Sequence, residues 1–230
     1  MRIDIWSDVV CPWCWIGKHR LERALALMGD QAPRVDVHWH PFLLDPDAGT
    51  TPVPLREAYA AKFGSAERTA QLLAQTQSTA QAEGLPMDFD RGQVRVGTLA
   101  AHRLLWLAAC EGVQEAVAEA LFRAHFAEGR NLADPQVLVA AGVAGGLEAT
   151  RAGALLESDE GVTEVQAELE KAHAMGISSV PTFVIDGRYA VQGAQPPEAF
   201  VQILAKITAE RAPEPAAGDE PACGPEGCSL

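Results

Sequence analysis

The sequence predicts an α/β fold whose β-α-β and β-β-α halves are separated by an all-helical insertion. Three observations predict it. Cys11-Pro12-Trp13-Cys14 stands directly between a short apolar strand and a helical run. Residues 55–174 keep a helical pattern almost throughout. After Gly176 the pattern changes to two short β-type runs around Asp186-Gly187.

The elements follow in order. Ile3–Val10 is a short apolar run and reads as the first strand. Trp15–Met28 reads as the first helix, ended by Gly29-Asp30. Val35–Phe42 sets Val35, Val37 and Trp39 on one face and Asp36, His38 and His40 on the other, the period of a strand. On that pattern His38 and His40 are strand-surface residues. Pro and Gly cluster through Asp45–Pro54 and mark a boundary.

The helical block then begins with the amphipathic runs Arg56–Phe63 and Ala66–Glu83 and the strongly apolar Leu99–Glu111. Val113–Ala127 carries Leu121, Phe122 and Phe126 at helical spacing. Asp134-Pro135 is an N-cap followed by a first-turn proline, and Gly145-Gly146 divides that helix from Leu147–Leu156, with Val162–His173 next. Thr182–Ile185 and Tyr189–Gln192 form a hairpin about Asp186-Gly187, and Phe200–Ile207 is the core of a last helix. The expected division is residues 1–54 with 175–211 as one discontinuous domain, 55–174 as the helical insertion, and 212–230 as a disordered Pro/Gly/acidic tail.

Charge and composition narrow the function. The 230 residues are 48% hydrophobic, and 31 acids against 18 bases give a net charge of −13. That balance argues against nucleic acid or an anionic membrane as partner and suits a protein that works on other proteins or on small thiols. No apolar run approaches the ~18 residues that span a bilayer. Met1-Arg2 leads straight into the first strand without a secretory pattern, so a cytoplasmic location is expected. In that compartment a Cys-x-x-Cys pair is more often catalytic or redox-sensing than a permanent staple.

The spacing of Cys11 and Cys14 suits that chemistry. Residues i and i+3 of a helix lie ~5–6 Å apart, within the ~4.4–6.8 Å Cα separation a disulfide accepts. Cys11 falls at the N-cap and Pro12 at the first helical position, where its missing N–H is no loss. The amide groups and positive dipole end there favour negative charge on a solvent-facing Cys11 sulfur, making it the nucleophile. Cys14, one turn on, is the resolving thiol. A lone Cys-x-x-Cys is also half of a zinc site, but zinc needs a second ligand pair at similar spacing and the core of the chain has none. No bound cofactor is required.

The segments Ser7–Gly17, His40–Leu44, Ala101–Leu104, Val180–Phe183 and Gly193–Gln195 together resemble the DsbA family of the thioredoxin superfamily. More narrowly, they are similar to its FrnE-type subgroup of thiol–disulfide oxidoreductases. The resemblance runs from Ile3 to about Leu204. It implies a thioredoxin-like fold carrying a helical domain before the proline loop, and a Val180-Pro181 bond that is cis and sits beside the Cys pair. Val180 and Pro181 would then clamp an extended substrate segment against Cys11.

The resemblance also frames what the other residues do. Many thioredoxins keep a buried carboxylate six positions before the first cysteine; here that position is Ile5, and Asp4 and Asp8 beside it are expected at the surface, leaving water to handle the Cys14 proton. The uncharged Pro12-Trp13 dipeptide implies a redox potential between about −270 and −120 mV. Trp13 is expected to touch substrate, and Trp15 to serve as an apolar platform or to pack. His102 is read as packing, with a groove-lining role behind that reading. Cys110, on an apolar helix, is expected to be a buried, inert thiol.

The expected partners are protein or small-molecule thiols and disulfides, with glutathione or a thioredoxin system resetting the enzyme. The rival reading is a glutathione-dependent isomerase of the 2-hydroxychromene-2-carboxylate isomerase type. Those enzymes carry serine at the first-cysteine position, so the presence of both Cys11 and Cys14 counts against it. A non-catalytic holdase or metal-binding module is the rival from outside enzymology.

Cys223 and Cys228, separated by Gly224-Pro225-Glu226-Gly227, form a second pair. A disulfide between them closes a small ring and gains roughly 2 kcal/mol from chain entropy. A linker of ~15–20 residues spans ~20–25 Å, enough to bring this pair to Cys11 as an auxiliary redox couple. An inert disulfide and zinc shared by all four cysteines are the competing roles. With Cys223→Ser and Cys228→Ser combined, slower turnover and a shifted Cys11/Cys14 potential are expected in a glutathione-buffered assay, and unchanged values would remove the relay.

Overall fold

The structure, a computed structural model, describes residues 1–211, so Cys223 and Cys228 lie outside the described residues. β1 (Arg2–Ser7) is followed by α1 (Pro12–Met28) and β2 (Asp36–Pro41). β3 (Val53–Pro54) leads into α2 (Leu55–Phe63) and α3 (Ala66–Ala82), then β4 (Val94–Arg95). α4 (Leu99–Cys110), α5 (Gln114–Phe126), α6 (Pro135–Ala144), α7 (Ala149–Leu156) and α8 (Val162–Ala174) complete the helical block. The chain then returns through β5 (Thr182–Ile185), β6 (Tyr189–Gln192) and α9 (Pro197–Arg211).

The main sheet has the order β2-β1-β5-β6. β1 runs parallel to β2, with Ile5 opposite Trp39, and antiparallel to β5, with Ile5 opposite Phe183. β5 and β6 form the expected hairpin. Its turn puts Asp186 at φ 51° and Gly187 at φ 66°, the left-handed region that Gly enters freely and Asp tolerates. β3 and β4 pair as a separate two-stranded sheet absent from the sequence reading. Each is two residues long, too short to carry a period.

Both faces of β1 are covered. Ile3 and Ile5 join the main core with Trp15, Ile16, Phe183, Ile185 and Phe200, while Trp6 packs on the opposite face with Val184 and Ala172 of α8. This corrects the surface placement of Asp4 and Asp8, both of which are buried. Alternation marks a half-exposed strand, and a helix laid across the second face removes the polar side. For the same reason His40 is not a surface histidine. It stacks on Trp6 at 4.7 Å and is held between Asp4 (2.7 Å) and Glu168 of α8 (2.8 Å).

Helix α1 is keyed into the helical block by aromatics and one buried cation. Trp15 is fully buried, stacked with Phe122 at 6.3 Å and Phe126 at 6.0 Å, and its Nε1 donates to Glu119 at 3.0 Å. It is therefore a core residue, the packing role of the two expected for it, and does not face substrate. Beside it, Lys18 Nζ meets Glu22 at 2.6 Å and Glu115 and Glu119 at 3.1 Å each. Burial opposes the ammonium charge, but these carboxylates outweigh it and raise the lysine above its ordinary range. Cys110 is the last residue of α4 and is exposed, contrary to the buried thiol expected.

Replacing the Trp15 side chain leaves a cavity between α1 and α5. Trp15→Ala is expected to lower stability by about 3–5 kcal/mol in urea unfolding followed by far-UV circular dichroism.

Candidate active site

Cys11 has extended backbone geometry (φ −92°, ψ 110°) and Pro12 begins the helix. The proline ring holds φ near the helical value, so the chain turns into α1 immediately after the cysteine. Cys11 N–H donates to the Asp8 carbonyl at 2.9 Å, and Cys14 N–H donates to the Cys11 carbonyl at 3.1 Å. Both cysteines are free thiols. Cys11 is 4% exposed and Cys14 1%, so the first sulfur is more sheltered than a freely solvent-facing nucleophile. Trp13, 38% exposed, is the open residue of the motif.

The two thiols sit in unequal surroundings. Burial pushes the Cys14 thiol well above its ordinary range, and the hydrogen bond and charge of Cys11 act the same way, while Ser7 and the Asp8 backbone oppose them. The Ser7 hydroxyl has no hydrogen-bond partner among the described residues, so its help to Cys14 is that of a nearby dipole. Cys14 is therefore the thiol held in its protonated form. That order of events suits a pair in which one thiol attacks and the other waits.

The second half of the site arrives from the far end of the chain. The Val180–Pro181 peptide bond is cis, and the Cys11 thiol points at the Val180 carbonyl oxygen, 3.9 Å away. Gly193 N–H donates to the Pro181 carbonyl at 2.8 Å and anchors this loop to the strand end. A Cβ on Gly17 of α1 would stand 3.1 Å from both the Pro181 ring and Phe183. The missing side chain is what lets the loop rest on the helix. A helix-interior glycine costs ~1 kcal/mol relative to alanine, and that penalty inside Trp15–Met28 was the available signal for this residue.

A groove of about 530 Å³ opens beside Val10 and Asp8, walled by Leu44, Leu55, Tyr59 and Val96, with Lys62 and Arg95 also lining it. Tyr59 is partly exposed at its surface yet enclosed by protein on most sides. That burial, with the charges of Cys11 and Asp8, pushes its phenol up to about 12.

His102 is buried and does not line this groove. Its Nε2 lies 3.2 Å from the Phe42 carbonyl and 3.5 Å from Asp8 Oδ1. A carbonyl only accepts, so Nε2 carries the proton. Asp8 Oδ2 accepts from Leu44 N–H at 2.9 Å, whereas Oδ1 makes no hydrogen bond among the described residues. An unsatisfied buried polar oxygen costs ~1–3 kcal/mol. Sequence alternation missed Asp8. Its place in the loop directly before Cys11 was the signal available.

Among the described residues, no group of three or more His, Cys, Asp and Glu is arranged to hold a metal. His102, Leu105 and Trp106 line a second cavity of about 450 Å³ with His40 and Glu168, on the α8 side of the sheet.

A dithiol at the amino end of a helix, opposed by a cis-proline loop in a four-stranded mixed sheet, defines a thioredoxin-type redox fold. The DSBA-like thioredoxin domain model matches residues 2–205, and the chain belongs to that family of thiol–disulfide oxidoreductases. It is 38% identical to the probable DsbA oxidoreductase SCO1869 from Streptomyces coelicolor, covering 100% of this chain and 99% of that one, with a TM-score of 0.86. The cytosolic disulfide reductase DsbM from Pseudomonas aeruginosa, solved with GSH, shares the fold at 21% identity and TM-score 0.61, over 91% of this chain and 100% of that one. A 2-hydroxychromene-2-carboxylate isomerase shares it at 13% identity and TM-score 0.62, over 92% and 98% of the two chains.

His125, also within reach of the Asp8 charge, is buried and its Nδ1 has no hydrogen-bond partner. Burial pushes this imidazole down to about 4, against a hydrogen bond to the Arg130 backbone and the charge of Asp8. Unfolding therefore takes up a proton between that value and the 6.5 of a free histidine. Stability falls as pH drops through this window. The loss is expected to reach about 3 kcal/mol by the bottom of the window, and His125→Leu is expected to flatten it in urea titrations at a series of pH values.

Proposed function

We propose that the chain is a cytoplasmic thiol–disulfide oxidoreductase that reduces or isomerises disulfides through the Cys11–Cys14 dithiol. Cys11 attacks a substrate disulfide, one substrate sulfur leaves as a thiol, and a mixed disulfide forms. Cys14 then attacks Cys11, closes the internal disulfide and releases the second substrate thiol. Oxidation of a dithiol substrate runs the same steps backward. The observation that carries the reading is the placement of Cys11, at the start of α1, against the Val180 carbonyl and one turn from a buried, protonated Cys14.

Val180 and Pro181 serve as the clamp for an extended substrate segment, with Trp13 as its apolar contact. No bound cofactor takes part. The oxidised pair is reset by glutathione or by a thioredoxin system, and the DsbM structure solved with GSH supports the first of these. That DsbM is named as cytosolic supports the location, and no helix of the described residues is long and apolar enough to cross a membrane. In this reading residues 1–54 and 175–211 hold the redox centre and residues 55–174 roof it.

The likeness to the 2-hydroxychromene-2-carboxylate isomerase keeps a glutathione-dependent isomerase as the second reading. The two separate in one assay. Cys11→Ser is expected to lower insulin reduction by about 100-fold or more, since the thiolate is the nucleophile, and Cys14→Ser to accumulate the mixed disulfide seen by mass spectrometry. Retained insulin reduction in Cys11→Ser would overturn the dithiol reading, and glutathione-dependent isomerisation by that variant would favour the second.

A further inference from the structure

The cavity of about 450 Å³ bounded by β2, α4, the start of α5 and α8 shares no lining residue with the groove beside Val10. Its size falls in the ~300–1,000 Å³ range of small-molecule sites. Trp39, Trp106, Leu105 and Val165 supply its apolar walls. Trp106 is half-buried, and its place depends on a missing side chain. Gly161 opens α8 at φ 79°, and a Cβ there would stand 2.8 Å from Trp106 Cε3. The strand edge beside it is already closed. Gln114 accepts from Trp39 N–H and donates to the Trp39 carbonyl, each at 2.9 Å, as a neighbouring strand would. An incoming peptide strand therefore has no open pairing site at Trp39, and the space suits a small molecule.

The polar lining is rich in acceptors and poor in free donors. Gln114 Nε2 is spent on the carbonyls of Trp39 and Leu105, and Trp39 Nε1 donates to Glu115 at 2.6 Å. Both His40 nitrogens face carboxylates, Asp4 and Glu168. Of the two indole N–H groups, that of Trp106 is left without a bond among the described residues. On the acceptor side, Glu168 is shared by His40 and Lys171. Glu164, one turn before it on α8, has no cation in ion-pair reach among the described residues. His102, 3% exposed, also belongs to this wall. Its Nε2 turns a proton to the Phe42 carbonyl, which leaves Nδ1 of the neutral ring as a lone-pair acceptor.

An indole face, an unpaired carboxylate and a lone pair call for a ligand that brings positive charge and N–H donors. The net charge of −13 attracts a cation and repels an anion. We propose that this cavity binds a small organic amine in its protonated form, with the ammonium at Glu164 and an apolar body against Trp106 and Leu105. The site is separate from the dithiol and holds whether or not the oxidoreductase reading does.

The test titrates the full chain, carrying heavy-nitrogen tryptophan, near neutral pH with three probes that share a phenyl ring. They are phenethylamine, phenethyl alcohol and hydrocinnamate, which differ in charge. Two-dimensional NMR reads the indole N–H resonances, with Trp106→Phe identifying that of Trp106, and calorimetry gives the affinities. Phenethylamine is expected to move the Trp106 resonance saturably, with a Kd at or below about 1 mM. It should bind about tenfold or more tighter than the alcohol, and hydrocinnamate should move nothing. Glu164→Gln should weaken the amine about fivefold or more and leave the alcohol unchanged. Ala167→Arg sets a cation in the cavity wall and should abolish amine binding. Both positions are exposed, so these variants spare the core. No saturable movement of Trp106 below about 10 mM amine, equal affinities for amine and alcohol, or tighter binding of hydrocinnamate would overturn the proposal. An amine affinity unchanged in both Glu164→Gln and Ala167→Arg puts the probe elsewhere and overturns it equally.

Discussion

The seating of helix α1 is the constraint on which the rest of this structure depends. One face of the helix lacks a side chain at Gly17, and there Pro181 and Phe183 lie at contact distance. Another face inserts Trp15 between Phe122 and Phe126. A helix held on both sides cannot rotate or slide, and the start of that helix is where the two sulfurs are. Cys11 meets the Val180 carbonyl because Gly17, six residues along, allows the loop to come down. Close packing converts a small residue in one element into a fixed distance in another.

Within that seat the electrostatics are uneven in a useful way. Cys14 is deep and is kept protonated first by burial and then by its partner thiol. In the proposed mechanism Cys11 enters a mixed disulfide, and its influence in raising Cys14 is then removed. On that proposal Cys14 is released to react by the event it is meant to follow. Elsewhere among the described residues such side chains are enclosed in company: Lys18 with three carboxylates, His40 between two, Arg103 capping the carbonyls of Leu155 and Glu160. Asp8 is the exception, one oxygen satisfied and one not.

The order of elements and the dithiol were legible because each carries a local signal. The strand–Cys-Pro-Trp-Cys–helix junction, the Asp134-Pro135 cap and the Asp186-Gly187 hairpin depend on neighbours in sequence, and helix α6 does begin at Pro135 with Asp134 as its cap. What stayed hidden depends on contacts distant in the chain. Asp4, Asp8 and His40 are buried by α8, the 42–44 loop and α4, none of which strand alternation reveals. Trp15 was ambiguous for the converse reason: a tryptophan next to a reactive cysteine serves either surface or core, and only the partner helix decides. Cys110 was misplaced because it stands at a helix end, where periodicity is weakest.

The split arrangement of the redox centre has a consequence for how the chain comes into being. Cys11 and Val180 are 169 positions apart, with the helical block made in between. At ribosomal rates of ~5–20 residues per second, roughly ten to thirty seconds pass between emergence of the dithiol and emergence of the loop that faces it. Throughout that interval the nascent polypeptide carries two accessible sulfhydryls without their proline partner. Maturation of the enzyme is therefore a late event in its own translation, completed when the carboxy-terminal hairpin docks beside the first strand.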